Sequence, residues 1–154
     1  MSFKSDYAFG KVKEEENKEK LEKKFGIKLN HIEDKFSLFD FISDDGKVYV
    51  ELKSRNIKHD DYTTALIGAN KADFIEDKEG VEAYFCFCYT DGLYYIKYDK
   101  DVFANITRKD FQRRERSDYD DLPKPHYFIR NELLQKIEDE VDDLTKLLTI
   151  NFVI

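Results

Sequence analysis

Apolar positions along the chain recur with two periods, one typical of helices and one typical of strands. Residues 7–25 and 60–77 follow the helical period. The first segment ends at Gly26, and the second begins with Asp60 or Asp61 as its N-cap. Shorter segments that alternate or stay apolar throughout predict strands at 27–32, 36–42, 47–53, 81–89 and 93–98.

The C-terminal part of the chain is less regular. Residues 99–125 are polar and irregular, residues 127–130 fit a short edge strand, and residues 132–149 fit a helix with one apolar side. The order α-β-β-β-α-β-β followed by a helix predicts an α/β fold. No linker interrupts it, so a single domain is expected, with a core over 7–98 and an elaboration over 99–154.

The turn Ser43-Asp44-Asp45-Gly46 joins two of the predicted strands into a hairpin. With the turn centred between Asp44 and Asp45, Asp40 would lie opposite Tyr49, and it would share a face with Glu51 and Lys53. The other face would be apolar and face the core, carrying Phe39, Phe41, Val48, Val50 and Leu52. A slip of one residue would bury the charges, so the pattern itself specifies which residues share a face.

Two carboxylates and one ammonium on the same face of a hairpin can support hydrolytic chemistry. Asp40 and Glu51 form a hard-oxygen pocket suited to Mg²⁺ or Mn²⁺, and the carbonyl of Leu52 is available as a further ligand. Lys53 could orient an attacking water or neutralise charge in the transition state. This is the minimum equipment for hydrolysing a phosphodiester, although exposed strand faces also carry such residues simply for solubility.

The charge of the chain is patterned rather than uniform. The 26 basic and 33 acidic residues give a net charge of −7, which argues against a general polyanion-coating protein. Residues 108–116 nevertheless carry five positive and two negative charges. Within that strip, Arg113, Arg114 and Arg116 fit a solvated loop or contacts to nucleic-acid phosphates.

The two cysteines, Cys86 and Cys88, lie one residue apart in an apolar run and are expected on the same face of a strand. They fit small core residues of a protein in a reducing intracellular compartment. No apolar run approaches the roughly 18 residues of a transmembrane helix, and no signal peptide is expected. The three histidines, at 31, 59 and 126, show no metal-ligand spacing.

Asp40, followed eleven residues later by Glu51-Leu52-Lys53 on a hairpin between helices, resembles the PD-(D/E)xK nuclease superfamily. The resemblance covers about residues 7–98 and implies the restriction-endonuclease-like αβββαβ core with a mixed sheet. In its resolvase-like, viral and phage branch, a Gly-x-x-x-Glu on the first helix adds a carboxylate to the metal site. Gly10 and Glu14 match that spacing, and Glu14 also lies on the apolar stripe of the helix, seven residues before Leu21. With a different helical phase, Glu15 or Glu16 would take its place.

The sequence departs from the superfamily's name at one position, because Phe39 stands where the motif has proline. The resemblance also implies a polar residue on the helix after the Glu-x-Lys strand, directed at the scissile phosphate, and Lys71 fits this role. Tyr62, Thr63 and Thr64 would open the same helix, whose N-terminus and hydroxyls could contact phosphate.

The resemblance implies a nuclease dependent on Mg²⁺ or Mn²⁺ that cuts phosphodiesters internally. It favours DNA, because most relatives cut DNA, while RNA stays open because viral cap-snatching endonucleases use the same residue types on this fold. A non-catalytic nucleic-acid-binding subunit is the rival. A cutter of branched DNA would require a homodimer. The Asp-, Lys-, Phe- and Tyr-rich composition fits a virus or phage with an AT-rich genome, and hence the cytoplasm or nucleus of a host cell.

Overall fold

The computed structural model describes residues 3–34, 37–112 and 122–138. Its helices, in chain order, are α1 (Phe3–Phe25), α2 (Ala69–Glu76) and α3 (Lys100–Ala104), with a short 3-10 helix at Asn131–Leu133. The strands are β1 (Leu29–His31), β2 (Phe41–Ser43), β3 (Val48–Ser54), β4 (Thr64–Gly68), β5 (Glu82–Tyr89), β6 (Gly92–Lys97), β7 (Thr107–Phe111), β8 (Lys124–Arg130) and β9 (Gln135–Ile137).

A six-stranded main sheet forms the centre of the fold, in the order β1-β2-β3-β5-β6-β9. Its strands pair antiparallel except β3 and β5, which run parallel, so the predicted mixed sheet is confirmed. The strand predicted at 81–89 is β5, and it lies between β3 and β6 with buried residues on both of its faces. The N-terminal helix ends at Gly26, where φ is +67°, as the sequence indicates.

The main sheet separates two hydrophobic clusters. One cluster contains Leu21 of α1 together with Phe41, Val50 and Leu52 of the hairpin, so α1 packs on this face. The opposite cluster has Phe85 at its centre and also includes residues of α2, β4 and β8. The sheet is therefore covered on both sides over the strands that carry the candidate site.

A second, three-stranded sheet in the order β4-β8-β7 packs through Ala65, Ile67 and Ile129 against the cluster around Phe85. A strand is present at the predicted 127–130, but its predicted position at an edge is wrong. It is the longer β8, which lies at the centre of this sheet and pairs with both neighbours. The segment 99–125 is also more regular than predicted, since it contains α3 and β7.

The helix predicted at 60–77 is wrong over its first half. Helix α2 begins only at Ala69, and residues Thr64–Gly68 form β4 instead. Ala65 and Ile67 are buried there and alternate with less buried neighbours, which is the two-residue period of a strand. The small residues in this segment fit the period of a helix or of a strand, so its pairing with β8 determines that it forms a strand. Asp60 and Asp61 therefore cap no helix.

The hairpin register differs from the prediction by two residues. Phe41 pairs with Val50 and Ile42 with Tyr49, because the turn lies one residue further along and Gly46, at φ +71°, donates its N–H to the carbonyl of Ser43. Strand β2 begins at Phe41, and the chain bends before it. Consequently Phe39 packs with the cluster around Phe85, on the opposite face from the one predicted.

The predicted C-terminal helix does not begin at Glu132. Residues Asn131–Leu133 form the 3-10 helix, and Gln135–Ile137 pair with β6 as the last strand of the main sheet. Leu134 and Ile137 are buried in the extended chain, and not on one side of a helix as the sequence predicted. The rest of the predicted helix, from residue 139 onward, lies outside the described residues.

Candidate active site

The two central carboxylates lie side by side where β2 and β3 meet. The N–H of Asp40 donates to the carbonyl of Val50 (3.1 Å), and the N–H of Leu52 donates to Oδ2 of Asp40 (2.8 Å). Continuing the observed register places Asp40 opposite Glu51 rather than Tyr49, yet the shift of two residues leaves both carboxylates together. The Leu52 carbonyl lies on the same side of its strand as its N–H, and therefore toward Asp40.

Burial makes both carboxylates difficult to ionise. Desolvation raises the pKa of Asp40 to about 6, although the hydrogen bond from Leu52 opposes the change and the nearby Glu14 adds to it. Desolvation likewise raises the pKa of Glu51 to about 6, against the attraction of Lys71, and Asp40 raises it further. Glu51 is only 8% exposed. Such a site gains electrostatically from a bound cation.

Two lysines approach the carboxylates from the α2 side of the main sheet. Nζ of Lys71 donates to Oε1 of Glu51 at 2.8 Å, and both side chains are largely buried. Lys71 reaches Glu51 from the first turn of α2, although that helix starts later than predicted. Lys53 follows Glu51 by two residues on β3, and its charge also lowers the pKa of Glu51.

Helix α1 brings a third carboxylate to the site. Glu14 is 8% exposed and lies near enough to Asp40 for a side-chain hydrogen bond between the two carboxyl groups. Oε2 of Glu14 also lies 3.4 Å from Nζ of Lys11 and 3.7 Å from Nδ1 of His31. By contrast, Glu15 and Glu16 are exposed. The helical phase expected from the sequence therefore matches the structure.

His31 is a neighbour of the site that sequence reasoning did not identify. Its ring packs against Phe41 with 4.7 Å between centroids, and its Nε2 lies 2.7 Å from Oε1 of Glu15. Neither contact has a short sequence spacing, because β1 meets α1 only in the folded chain. Alternation along a three-residue strand gives no usable signal for such a position.

The predicted position of the nucleic-acid contacts at the start of a helix is wrong, and the contacts themselves stay a prediction. Tyr62 and Thr63 precede β4 and Thr64 begins it, so none of them lies at a helix N-terminus. Thr63 and Thr64 instead line a cleft with residues of α3 and with Arg130. The other predicted contacts, Arg113, Arg114 and Arg116, lie outside the described residues.

A second group of possible metal ligands occurs in the loops before β4 and β6. One ligand atom each of His59, Asp60 and Asp91 lies within 4.8 Å of the other two. The sequence did not indicate this group, because the histidines show no metal-ligand spacing. Asp91 already accepts hydrogen bonds from the backbone N–H (2.9 Å) and from Nδ1 (2.5 Å) of His59, whose ring stacks on Tyr94. These bonds pair His59 with Asp91 directly and do not involve Asp60.

The donor set around Asp40 fits a hard divalent cation. Asp40 lies beside Glu14 and beside Glu51, the backbone carbonyl of Leu52 faces Asp40, and oxygen is the ligand that Mg²⁺ and Mn²⁺ prefer. Burial is the main cause of the raised pKa of Asp40 and of Glu51, and in each case a neighbouring carboxylate raises the pKa further.

An α/β fold with a mixed sheet, in which an Asp lies beside a Glu-x-Lys strand, is the arrangement of the PD-(D/E)xK nucleases. The family model described as "Phage putative PDDEXK endonuclease" matches residues 5–131, and the chain belongs to this family. Membership supports a nuclease that acts on nucleic acid. No curated protein gives a significant match. Among the described residues, no helix is both long and apolar enough to cross a bilayer.

The raised pKa of Asp40 predicts that this carboxylate destabilises the metal-free protein at neutral pH. The carboxyl group has a pKa of about 6 in the folded state, against an ordinary value of 3.8 that applies to the unfolded chain. It therefore keeps its proton up to a higher pH in the folded state. Its contribution to the free energy of unfolding therefore falls as pH rises from about 4 to 6 and stays reduced above. We expect Asp40→Asn to stabilise the protein at pH 7.5 in EDTA by about 1–3 kcal/mol.

Urea unfolding at several pH values tests this expectation. The advantage of Asp40→Asn over wild type should shrink as the pH falls below about 6 and should be lost near pH 3, where Asp40 is largely protonated in both states. A variant that is less stable than wild type at pH 7.5 would show that Asp40 is kept for structure.

Proposed function

We propose that the chain is a nuclease dependent on Mg²⁺ or Mn²⁺ that hydrolyses phosphodiester bonds, with DNA as its substrate. The observation that supports this most strongly is that Asp40 has two neighbouring carboxylates, Glu14 from α1 and Glu51 from β3, and that both of these are buried. Burying three carboxylates together is costly, so a role in function explains their presence better than a role in stability does.

Each side chain has a definite part in the proposed reaction. Asp40, Glu51 and the carbonyl of Leu52 would hold the cation, and Glu14 would add negative charge beside it. When bound, the cation supplies a polarised phosphate oxygen and a water of lowered pKa. Lys53 is suited to hold and orient the attacking water, and Lys71 to neutralise charge on the phosphate.

The ion pair between Lys71 and Glu51 implies an exchange of partners on loading. In the absence of a cation, Lys71 supplies the counter-charge to Glu51 at 2.8 Å. With a divalent cation held at Glu51, the ammonium of Lys71 would be available to a substrate phosphate, and the buried carboxylate would still have a counter-charge.

A direct assay of purified protein tests the proposal. Linear, nicked, branched and single-stranded DNA, and RNA, are incubated with Mg²⁺, with Mn²⁺ and with EDTA, and products are separated by size. Cleavage of DNA with either metal, lost in EDTA, supports the proposal. Cleavage of RNA alone would support a nuclease but contradict DNA as its substrate. Binding without cleavage under every condition would contradict the enzyme and favour a binding subunit. Size-exclusion chromatography of the active protein tests the homodimer that a branched substrate would require.

A further inference from the structure

The second sheet has a face that points away from the core. Ala65, Ile67 and Ile129 project from the other side and are buried. Because directly paired residues share a face, the pairing fixes the members of the opposite side. We call this side the outer face; its strand residues are Thr64, Leu66, Gly68, Thr107, Lys109, Phe111, Lys124, His126, Phe128 and Arg130.

The outer face differs in charge from the chain as a whole. It carries Lys109, Lys124 and Arg130, all exposed, and none of its strand residues is a carboxylate. The whole chain has a net charge of −7. A surface that concentrates cations on an acidic protein is complementary to a polyanion, and the strands on which it lies come from distant parts of the sequence.

Aromatic rings lie among these cations. Phe111 is 40% exposed, and its ring lies 5.6 Å from that of His126 and 6.2 Å from that of Phe128. Nζ of Lys109 lies 4.5 Å from the centre of the Phe128 ring. Exposed rings on a sheet stack with unpaired bases while adjacent cations neutralise the phosphates, whereas the bases of a duplex already stack on one another.

The outer face ends close to the candidate active site. Its last pair on β4 and β8 is Gly68 with His126. Lys71, which contacts Glu51, follows Gly68 by three residues, so their Cα atoms are at most about 11 Å apart. The end of the outer face at Gly68 is therefore close to the residue that pairs with Glu51.

We propose that the outer face binds single-stranded nucleic acid and directs it into the active site. Bases stack on Phe111 and its aromatic neighbours, and phosphates contact Lys109, Lys124 and Arg130. The inference rests on the proposed nuclease function and deepens it, because it names the form of the substrate and the surface that selects it. An unpaired end, flap or displaced strand is the kind of DNA that fits this surface.

Binding measured without cleavage tests the inference. Fluorescence anisotropy in EDTA follows a labelled oligothymidylate of about 15 nucleotides, and a duplex of the same length. Wild type should prefer the single strand. Phe111→Leu, which keeps an apolar residue but removes the ring, should weaken single-strand binding about tenfold, as loss of one stacked base does. Lys109→Gln should weaken it and reduce the slope of log K against log salt by about 0.7.

Lys78→Gln is the matched control, because Nζ of Lys78 lies 4.3 Å from the centre of the Phe74 ring, outside the outer face. It should bind as wild type does. Equal binding by wild type, Phe111→Leu and Lys109→Gln would overturn the inference, as would a preference of wild type for the duplex. Asp40→Asn separates the two proposals: its binding should be unchanged while its cleavage is lost. An active Asp40→Asn would contradict the proposed function. The binding measurements would then still show whether the outer face binds single-stranded nucleic acid.

Discussion

Asp40→Asn and Glu51→Gln should each lower the rate of DNA cleavage with Mn²⁺ by about a thousandfold or more, the effect of losing roughly 4 kcal/mol of transition-state stabilisation. Each substitution keeps the shape of the side chain and removes the charge that attracts the cation. The measurement is initial rates at saturating substrate and several metal concentrations. Thermal unfolding of each variant shows whether the folded state is retained.

Asp44→Asn is the control for these two variants. Asp44 is an exposed carboxylate in the turn of the same hairpin, where it accepts a hydrogen bond from Asn30. Its removal changes the net charge by the same amount but leaves the site intact. If Asp44→Asn lost as much activity as Asp40→Asn, the effect would reflect the hairpin or overall charge rather than metal binding.

The second large effect is expected on α1. Glu14→Gln should reduce cleavage by about a hundredfold, because Glu14 completes the charge around the cation, and a neutral amide does so less well. Glu16→Gln should have little effect. The two positions form a matched pair, since each glutamate contacts a lysine three residues earlier: Lys11 with Glu14 at 3.4 Å and Lys13 with Glu16 at 3.1 Å.

Glu14 differs from Glu16 in its burial, in its approach to Asp40 and in its contact with His31. Rates and apparent Mn²⁺ affinities of both variants should therefore differ strongly. Equal activity in the two variants would remove Glu14 from the site, whereas a loss confined to Glu16→Gln would mean that the helix presents a different face in the active protein.

The sequence predicted the candidate site better than it predicted the surrounding elements, for a physical reason. Side chains alternate along a strand with a period of two, so an error of two residues in the hairpin register kept Asp40 and Glu51 together. Helix α1 is long, and its phase carried Glu14 to the correct side. These inferences depend on local periodicity, which the sequence contains directly.

Contacts between distant segments were not predictable in the same way. The segment at 64–68 contains small residues that fit a helix or a strand, and its pairing with β8, which lies far along the chain, determines which forms. The outer face exists only because of that pairing, so Phe111 and Lys109 gave no signal of a shared surface. His31 likewise meets Glu14 through tertiary packing alone.

Calorimetric titration of Mn²⁺ into wild type, Asp40→Asn and Asp91→Asn tests the metal site most directly. Asp91 belongs to the other described group of potential ligands, with His59 and Asp60. We predict that wild type and Asp91→Asn bind Mn²⁺ with the same affinity and that Asp40→Asn has lost most of this binding. Equal affinity in wild type and Asp40→Asn, or a loss confined to Asp91→Asn, would contradict a metal-dependent active site at Asp40 and Glu51.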